Sequence, residues 1–200
     1  MALPPQYRGV FTPQELSFSA ENIKVQIVPR RAMNSIPLIS GTIPQLRPPR
    51  RAEVPLWIAI LLKQQRCANI VSPDWLSVDA LKEKLDEETV PGAAFSALPF
   101  QWLEISEAIL ETASDDVEDA DTVRRLLRDL REARQAKARE GLTGLNESHL
   151  QMDNLGWMEI NEIRFVSRAM DQLRRIKAVK QDQEKASEDE MDASNGNDSD

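Results

Sequence analysis

A chain of 200 residues, 41% apolar and 29% charged, is long enough for one medium domain or for a small module beside a helical one. The single cysteine, Cys67, excludes an internal disulfide framework, and the longest apolar stretch, around Ala59–Leu62, ends at Lys63, far short of the ~20 residues that a bilayer crossing needs. The start lacks the basic-then-apolar order of a secretory signal, so the composition points to a soluble intracellular protein.

The formal net charge of −8 is unevenly placed. Residues 1–53 hold seven Lys/Arg against three acids, whereas residues 182–200 hold eight acids against Lys185. The low isoelectric point is therefore largely a property of the tail and says little about the partners of the folded body.

In chain order, Thr12-Pro13-Gln14-Glu15 reads as a capping box with proline at the first helical position, opening a short helix that ends near Ala20. Ile23, Val25 and Ile27 alternate with Lys24 and Gln26, the pattern of a strand with one buried face, which Pro29 closes. Ser35–Ser40 reads as a second strand, kept to an edge by Pro37. Residues 41–55 hold four prolines and a glycine and read as an extended connector. From Pro55 the texture becomes helical. Pro55–Arg66 is a strongly apolar helix, expected to pack Leu56, Trp57, Ile60 and Leu61 inward. Ser72-Pro73-Asp74-Trp75 is another helix start, and Ser77 caps a helix running to about Glu88. After a loop over Pro91–Leu98, the helix Pro99–Ala113 places Trp102, Ile105, Ile109 and Leu110 near one face.

Asp115–Leu142 reads as the longest helix, its first turns acidic and its later turns basic, an order that complements the helix dipole. At 100° per residue Arg124, Arg128, Arg131 and Arg139 share one stripe. Val123, Leu126, Leu127, Leu130, Ala133 and Ala136 form the opposite one, into which Arg134 and Lys137 intrude. The plain reading has those two snorkelling outward past the core. The functional reading is a docking surface for acidic groups of another subunit, or for nucleic acid. Gly141 and Gly144 end the helix, a loop follows, and a last amphipathic helix runs to about Gln183. Residues 182–200 lack periodicity and read as a disordered acidic tail, in which Ser187, before Glu188-Asp189-Glu190, suits an acidophilic kinase. The fold class is mainly α: a helical domain over 53–181, preceded by a small β-rich, mixed α/β module over 1–52.

Catalytic chemistry finds little support. His149 is the only histidine and Cys67 the only thiol, too few for a zinc site or a catalytic triad, and Cys67 reads as buried and inert. The acidic run Asp115–Asp121 lacks the glycine and ligand spacing of a calcium loop, and none of the seven glycines belongs to a phosphate-binding fingerprint. The expectation is a non-enzyme with no cofactor and no metal. A free-standing nucleic-acid-binding helical protein using the arginine-rich helices is the alternative, weakened because no aromatic is interleaved with the arginines.

One stretch is more specific. Glu53-Val54-Pro55-Leu56-Trp57-Ile58-Ala59, then Leu62-Lys63-Gln64, then Pro73-Asp74-Trp75-Leu76 resembles the Psf-two family of GINS subunits. Arg134-Gln135-Ala136-Lys137-Ala138-Arg139 is similar to that family's R-x-x-K-x-R segment, and Asp153-Asn154-Leu155 with Met158-Glu159-Ile160-Asn161 to its D-N-L-x-x-M-E-I-N element. The matches keep the family's order over residues 53–161; the segment through Val10 and the acidic tail match nothing in it. The resemblance implies a non-catalytic, nuclear, architectural subunit of a heterotetramer with three other GINS subunits, which joins the MCM hexamer and its Cdc partner in the replicative helicase. Any DNA contact is then indirect or weak, and no membrane is involved. Val54, Pro55, Trp57, Trp75, Arg134, Lys137, Arg139, Asp153, Asn154 and Glu159 become candidates for interface or domain-junction positions, with Arg134, Lys137 and Arg139 expected to dock a neighbouring subunit.

Overall fold

The computed structural model describes residues 11–39, 41–90, 92, 94–143 and 153–164. The contacts discussed below lie within one compact unit, Met1–Asn161. Local signals set the first element. Thr12 Oγ1 accepts the Glu15 N–H at 3.3 Å while the Glu15 carboxylate accepts the Thr12 N–H at 2.8 Å. This reciprocal cap, with proline behind it, opens helix α1 (Pro13–Ala20), which buries Leu16 and Ala20.

Strand β1 (Lys24–Pro29) alternates as expected, with Val25, Ile27 and Pro29 buried. It is the middle of an antiparallel three-stranded sheet ordered β4-β1-β5, with β4 at Ala52–Pro55 and β5 at Ala68–Ile70. The register places Val25 beside Val54 and Ile27 beside Ile70. Helix α2 (Leu56–Gln64) connects the two outer strands and packs across the sheet. Strands β2 (Ile36–Leu38) and β3 (Gly41–Ile43) form a separate hairpin in which Pro37 opposes Thr42.

Three expectations change here. The connector over residues 41–55 contains β3 and β4: Pro44, Pro48 and Pro49 lie between the strands and Pro55 is the last residue of β4, which leaves short stretches with their N–H groups intact. The boundary expected between residues 52 and 53 falls inside β4, which the sheet claims together with β5. Helix α2 is apolar nearly all round, so its composition did not say which side is covered. The sheet and α4 together bury Leu56, Ile58, Ala59 and Leu62, and leave Trp57 36% and Leu61 46% exposed. Trp57 is thus not the inward anchor its sequence suggested.

Beyond the sheet, a single 3-10 turn (Asp74–Leu76) follows Pro73. Ser77 then caps helix α3 (Val78–Thr89), its Oγ accepting the Ala80 N–H at 3.3 Å. Helix α4 (Trp102–Thr112) buries Trp102, Ile105, Ile109 and Leu110, the four residues its periodicity selects. Helix α5 (Ala120–Thr143) packs along α3 and buries Val123, Leu126, Leu127 and Leu130, whereas Ala136 is exposed. A helix α6 begins at residue 157 and is described to residue 164.

Helix α5 starts five residues later than the sequence suggested, because its acidic approach is used elsewhere. Asp115 and Asp116 lie in a 3-10 turn (Ser114–Asp116), and each accepts Lys63 Nζ at 2.8 Å. Asp116 also accepts the Ile70 N–H at 2.8 Å, tying the sheet's edge to the bundle. Burial would lower the Lys63 pKa, but the two aspartates outweigh it and hold the ammonium above its ordinary value. Replacing Asp116 with alanine strands the backbone N–H of a residue only 3% exposed. The expected cost is roughly 1–3 kcal/mol in urea unfolding. A change below about 0.5 kcal/mol, the ordinary surface value, would show that the tie is not structural.

Candidate functional site

The densest polar constellation among the described residues is internal. Arg134 stands on the apolar stripe of α5, one turn beyond Leu130, and is 1% exposed. Its fork closes on Glu159 of α6, with Nε to Oε1 at 2.7 Å and Nη2 to Oε2 at 2.9 Å. Nη1 donates to Glu88 of α3 at 2.6 Å and to the Ser96 carbonyl and hydroxyl at 3.2 Å, and Nη2 also donates to the Asn154 carbonyl at 2.6 Å. All five guanidinium N–H groups can thus be satisfied. Lys137, one turn on, reaches the other Glu88 oxygen at 2.8 Å and the Ala94 carbonyl at 3.0 Å. The Phe95 ring lies 5.1 Å from the Arg134 guanidinium and 5.3 Å from Lys137 Nζ, and Trp102 lies 5.9 Å from Arg134.

Two cations meet two carboxylates, so the cluster is neutral within itself. Burial alone would push Glu88 up, but hydrogen bonds from Lys137 and Ser96 and the Arg134 charge outweigh it and hold the carboxyl below the usual range. Burial likewise opposes the Arg134 charge, and Glu159 and Glu88 overcome that and raise its pKa. Every charge already has an opposite neighbour, so the cluster is a lock, built to join α3, the loop after it, α5 and the start of α6.

The start of α6 shows how the last sequence motif works. Asn154 adopts φ 61°, a left-handed turn that asparagine tolerates, and its side chain donates to the Phe95 carbonyl at 3.0 Å. Gly156 N–H donates to Glu159 Oε2 at 2.6 Å, the carboxylate half of a capping box. Asn161 holds the Phe11 backbone from both sides, accepting its N–H at 3.0 Å and donating to its carbonyl at 2.8 Å. Trp157 packs between Phe11, edge-on at 5.9 Å, and Phe100, stacked at 6.0 Å.

The sequence candidates therefore divide. Arg134, Lys137, Asn154 and Glu159, spread over 26 residues, come together in the lock, and Asp153 lies exposed at its turn. Arg134 does not snorkel outward: its charge is paired with Glu88 and Glu159 inside the chain. Arg139 is exposed two residues past Lys137 and outside the cluster. Val54 is fully buried in β4, Pro55 is the extended residue before α2, Trp75 is half-buried, and only Trp57 presents substantial apolar surface. Cys67 is half-buried, not buried; His149, Ser187, residues 182–200 and the last helix beyond 164 lie outside the described residues. Sequence reasoning missed Glu88 and Ser96. A charge standing in the apolar stripe of α5 was the available signal, since a buried guanidinium requires buried acceptors.

No described helix is long and apolar enough to cross a membrane. Residues 12–71 match the family described as PSF2 N-terminal domain, and residues 75–176 match the GINS complex protein helical bundle domain. The division between the two falls just after β5. A Schizosaccharomyces pombe protein named DNA replication complex GINS protein psf2 is 47% identical over 184 residues, covering 92% of this chain and all of that one. The Candida albicans protein of the same name is 44% identical, covering 95% and 99%, and the Saccharomyces cerevisiae one 36% identical, covering 88% and 92%. With both family domains in order and full-length likeness at these identities, the chain belongs to the PSF2 family of GINS proteins.

Proposed function

We propose that the chain is a non-catalytic structural subunit of the GINS complex in DNA replication, assembling in the nucleus with three other GINS subunits and, through them, with the MCM hexamer and its Cdc partner. The observation that carries this reading is what the family's signature residues do. Arg134, Lys137 and Glu159 neutralise one another and Glu88 in a closed lock, which ties the helices together and uses all four charges within the chain. The relatives' names supply the complex. Exposed apolar side chains on α1 and α2, Phe18 at 74%, Trp57 and Leu61, give the surface that an assembly subunit needs.

Affinity purification of the chain at native abundance tests the reading. Three partners of similar size are expected in equal amounts, joined by MCM proteins in S phase. Recovery of the chain alone, with tight DNA binding that weakens steeply with salt, would instead support a free-standing nucleic-acid-binding protein.

A further inference from the structure

A groove of about 550 Å³ runs between α1, α2 and α4. Glu21 lines it at the end of α1, Glu104, Glu107 and Glu111 line it along one side of α4, and Ile60 and Gln64 face them from α2. The spacing of the α4 acids, three and four residues, puts them on one helix face. No Lys or Arg lines the groove, and none of its four acids forms an ion pair among the described residues.

Glu104 separates this groove from an ordinary acidic surface. It is 2% exposed, and among the described residues no donor meets hydrogen-bond geometry at either of its carboxylate oxygens. Burial pushes its carboxyl up, the N–H groups of Glu104 and Met158 counter part of that, and Glu107 and Glu159 add to the rise. An unpartnered buried carboxylate is costly unless a cation reaches it. Every other strongly buried charge described here, in the lock and at Lys63, has its counterpart within the chain. Among the described residues Glu104 is left without one, beside two more acids.

We propose that this groove receives a lysine or arginine carried on a neighbouring GINS subunit, whose cationic head sits at the exposed Glu107 and Glu111, above the buried Glu104, while its flanking apolar residues rest on Ile60 of α2. The inference rests on the assembly reading above and adds to it a place and a chemistry. Charge complementarity selects a basic segment.

Two measurements on the reconstituted four-subunit complex test it. The first compares wild type with Glu104→Gln/Glu107→Gln/Glu111→Gln, which keeps shape and removes charge. The dissociation constant of this chain from the other three is expected to rise about tenfold or more, while the chain's own unfolding midpoint does not fall. The second places a photo-crosslinking side chain at Gln64, on the groove's exposed edge, in the wild-type background. The adduct is expected on a partner peptide with Lys or Arg within a few residues of the site. An unchanged dissociation constant, an adduct within this chain, or no adduct overturns the proposal. If the wild-type chain does not join the other three at all, the assembly reading fails and this one with it, whereas a wild-type complex indifferent to the three substitutions removes only the groove.

Discussion

Arg134→Leu destabilises the chain by about 3–5 kcal/mol, the cost typical of removing one member of a buried ion pair. Leucine fills much of the arginine's stem but leaves Glu88 and Glu159 in place, with side chains 0% and 5% exposed. Lys137 compensates only Glu88. The loss is mostly the penalty of stranded carboxylates, not the intrinsic worth of the bonds, and that distinction is measurable. Adding Glu88→Gln and Glu159→Gln to Arg134→Leu is expected to recover more than half of the lost stability, because the two carboxylates that the guanidinium served are then uncharged, while Lys137 keeps the Ala94 carbonyl. A triple variant as unstable as the single one would locate the cost in lost packing.

The same loss has a pH signature. In the wild type Glu88 is held below its ordinary value of 4.5. The unfolded chain then binds more protons than the folded one in that range, so the contribution of Glu88 is present above about pH 4.5 and is lost as the pH falls through its folded value. Without Arg134 the lowering is weaker, since only Lys137 and Ser96 then oppose burial, and folded Glu88 takes up a proton more readily than in the wild type. The stability gap between wild type and Arg134→Leu therefore narrows on acidification. Urea midpoints measured from pH 7 down to pH 4 check this, and a gap that stays constant or widens contradicts the electrostatic account.

Legibility of the fold in the sequence follows the range of the interactions involved. The α1 cap lies within four residues, and the α3 cap and the alternation of β1 are equally local; all three could be read off the chain. The start of α5 could not, because Asp115 and Asp116 answer to Lys63 and to the Ile70 N–H, 46 to 53 residues upstream. Strand β5 is three residues long, too short for alternation to register, and exists because β1 offers it an edge. In α2 both sides are apolar, so Trp57 and Leu61 were expected inward and Ile58 was not. Only the packing of α2 on the sheet and α4 decides between them. The lock was half legible: the motif residues Arg134, Lys137 and Glu159 stood out, while their meeting in space, and the part played by Glu88, depend on the packing of α3 against α5. Glu104, between Leu103 and Ile105 on an apolar helix, gave no signal of its own, since a glutamate at one edge of a buried face ordinarily turns to solvent.

Gly156→Ala is expected to cost about 1–3 kcal/mol, an overpacking loss, although it adds one methyl group next to a turn. A Cβ at this position would lie 2.8 Å from Trp102 Nε1, 3.0 Å from Trp102 Cδ1 and 3.1 Å from Glu159 Oε2. Trp102 is 0% exposed and its ring has no space to withdraw. Among the described residues its Nε1 has no hydrogen-bond partner, so packing and the Arg134 guanidinium 5.9 Å from the ring hold it. Glu159 cannot yield freely either, since the same oxygen accepts the Gly156 N–H and Arg134 Nη2. The methyl group therefore pushes on the core of α4 and on the lock at once, which explains why glycine stands between the Asn154 turn and α6. A double-mutant cycle isolates the cause. In a Trp102→Phe background the indole edge is gone, and Gly156→Ala should cost less than in the wild type, with a coupling of about 0.5–3 kcal/mol between the two sites. Strict additivity, within about 0.5 kcal/mol, would mean that the ring is not what excludes the methyl group, and the strain would then have to lie in the Glu159 cap, where Glu159→Gln in the same cycle would expose it.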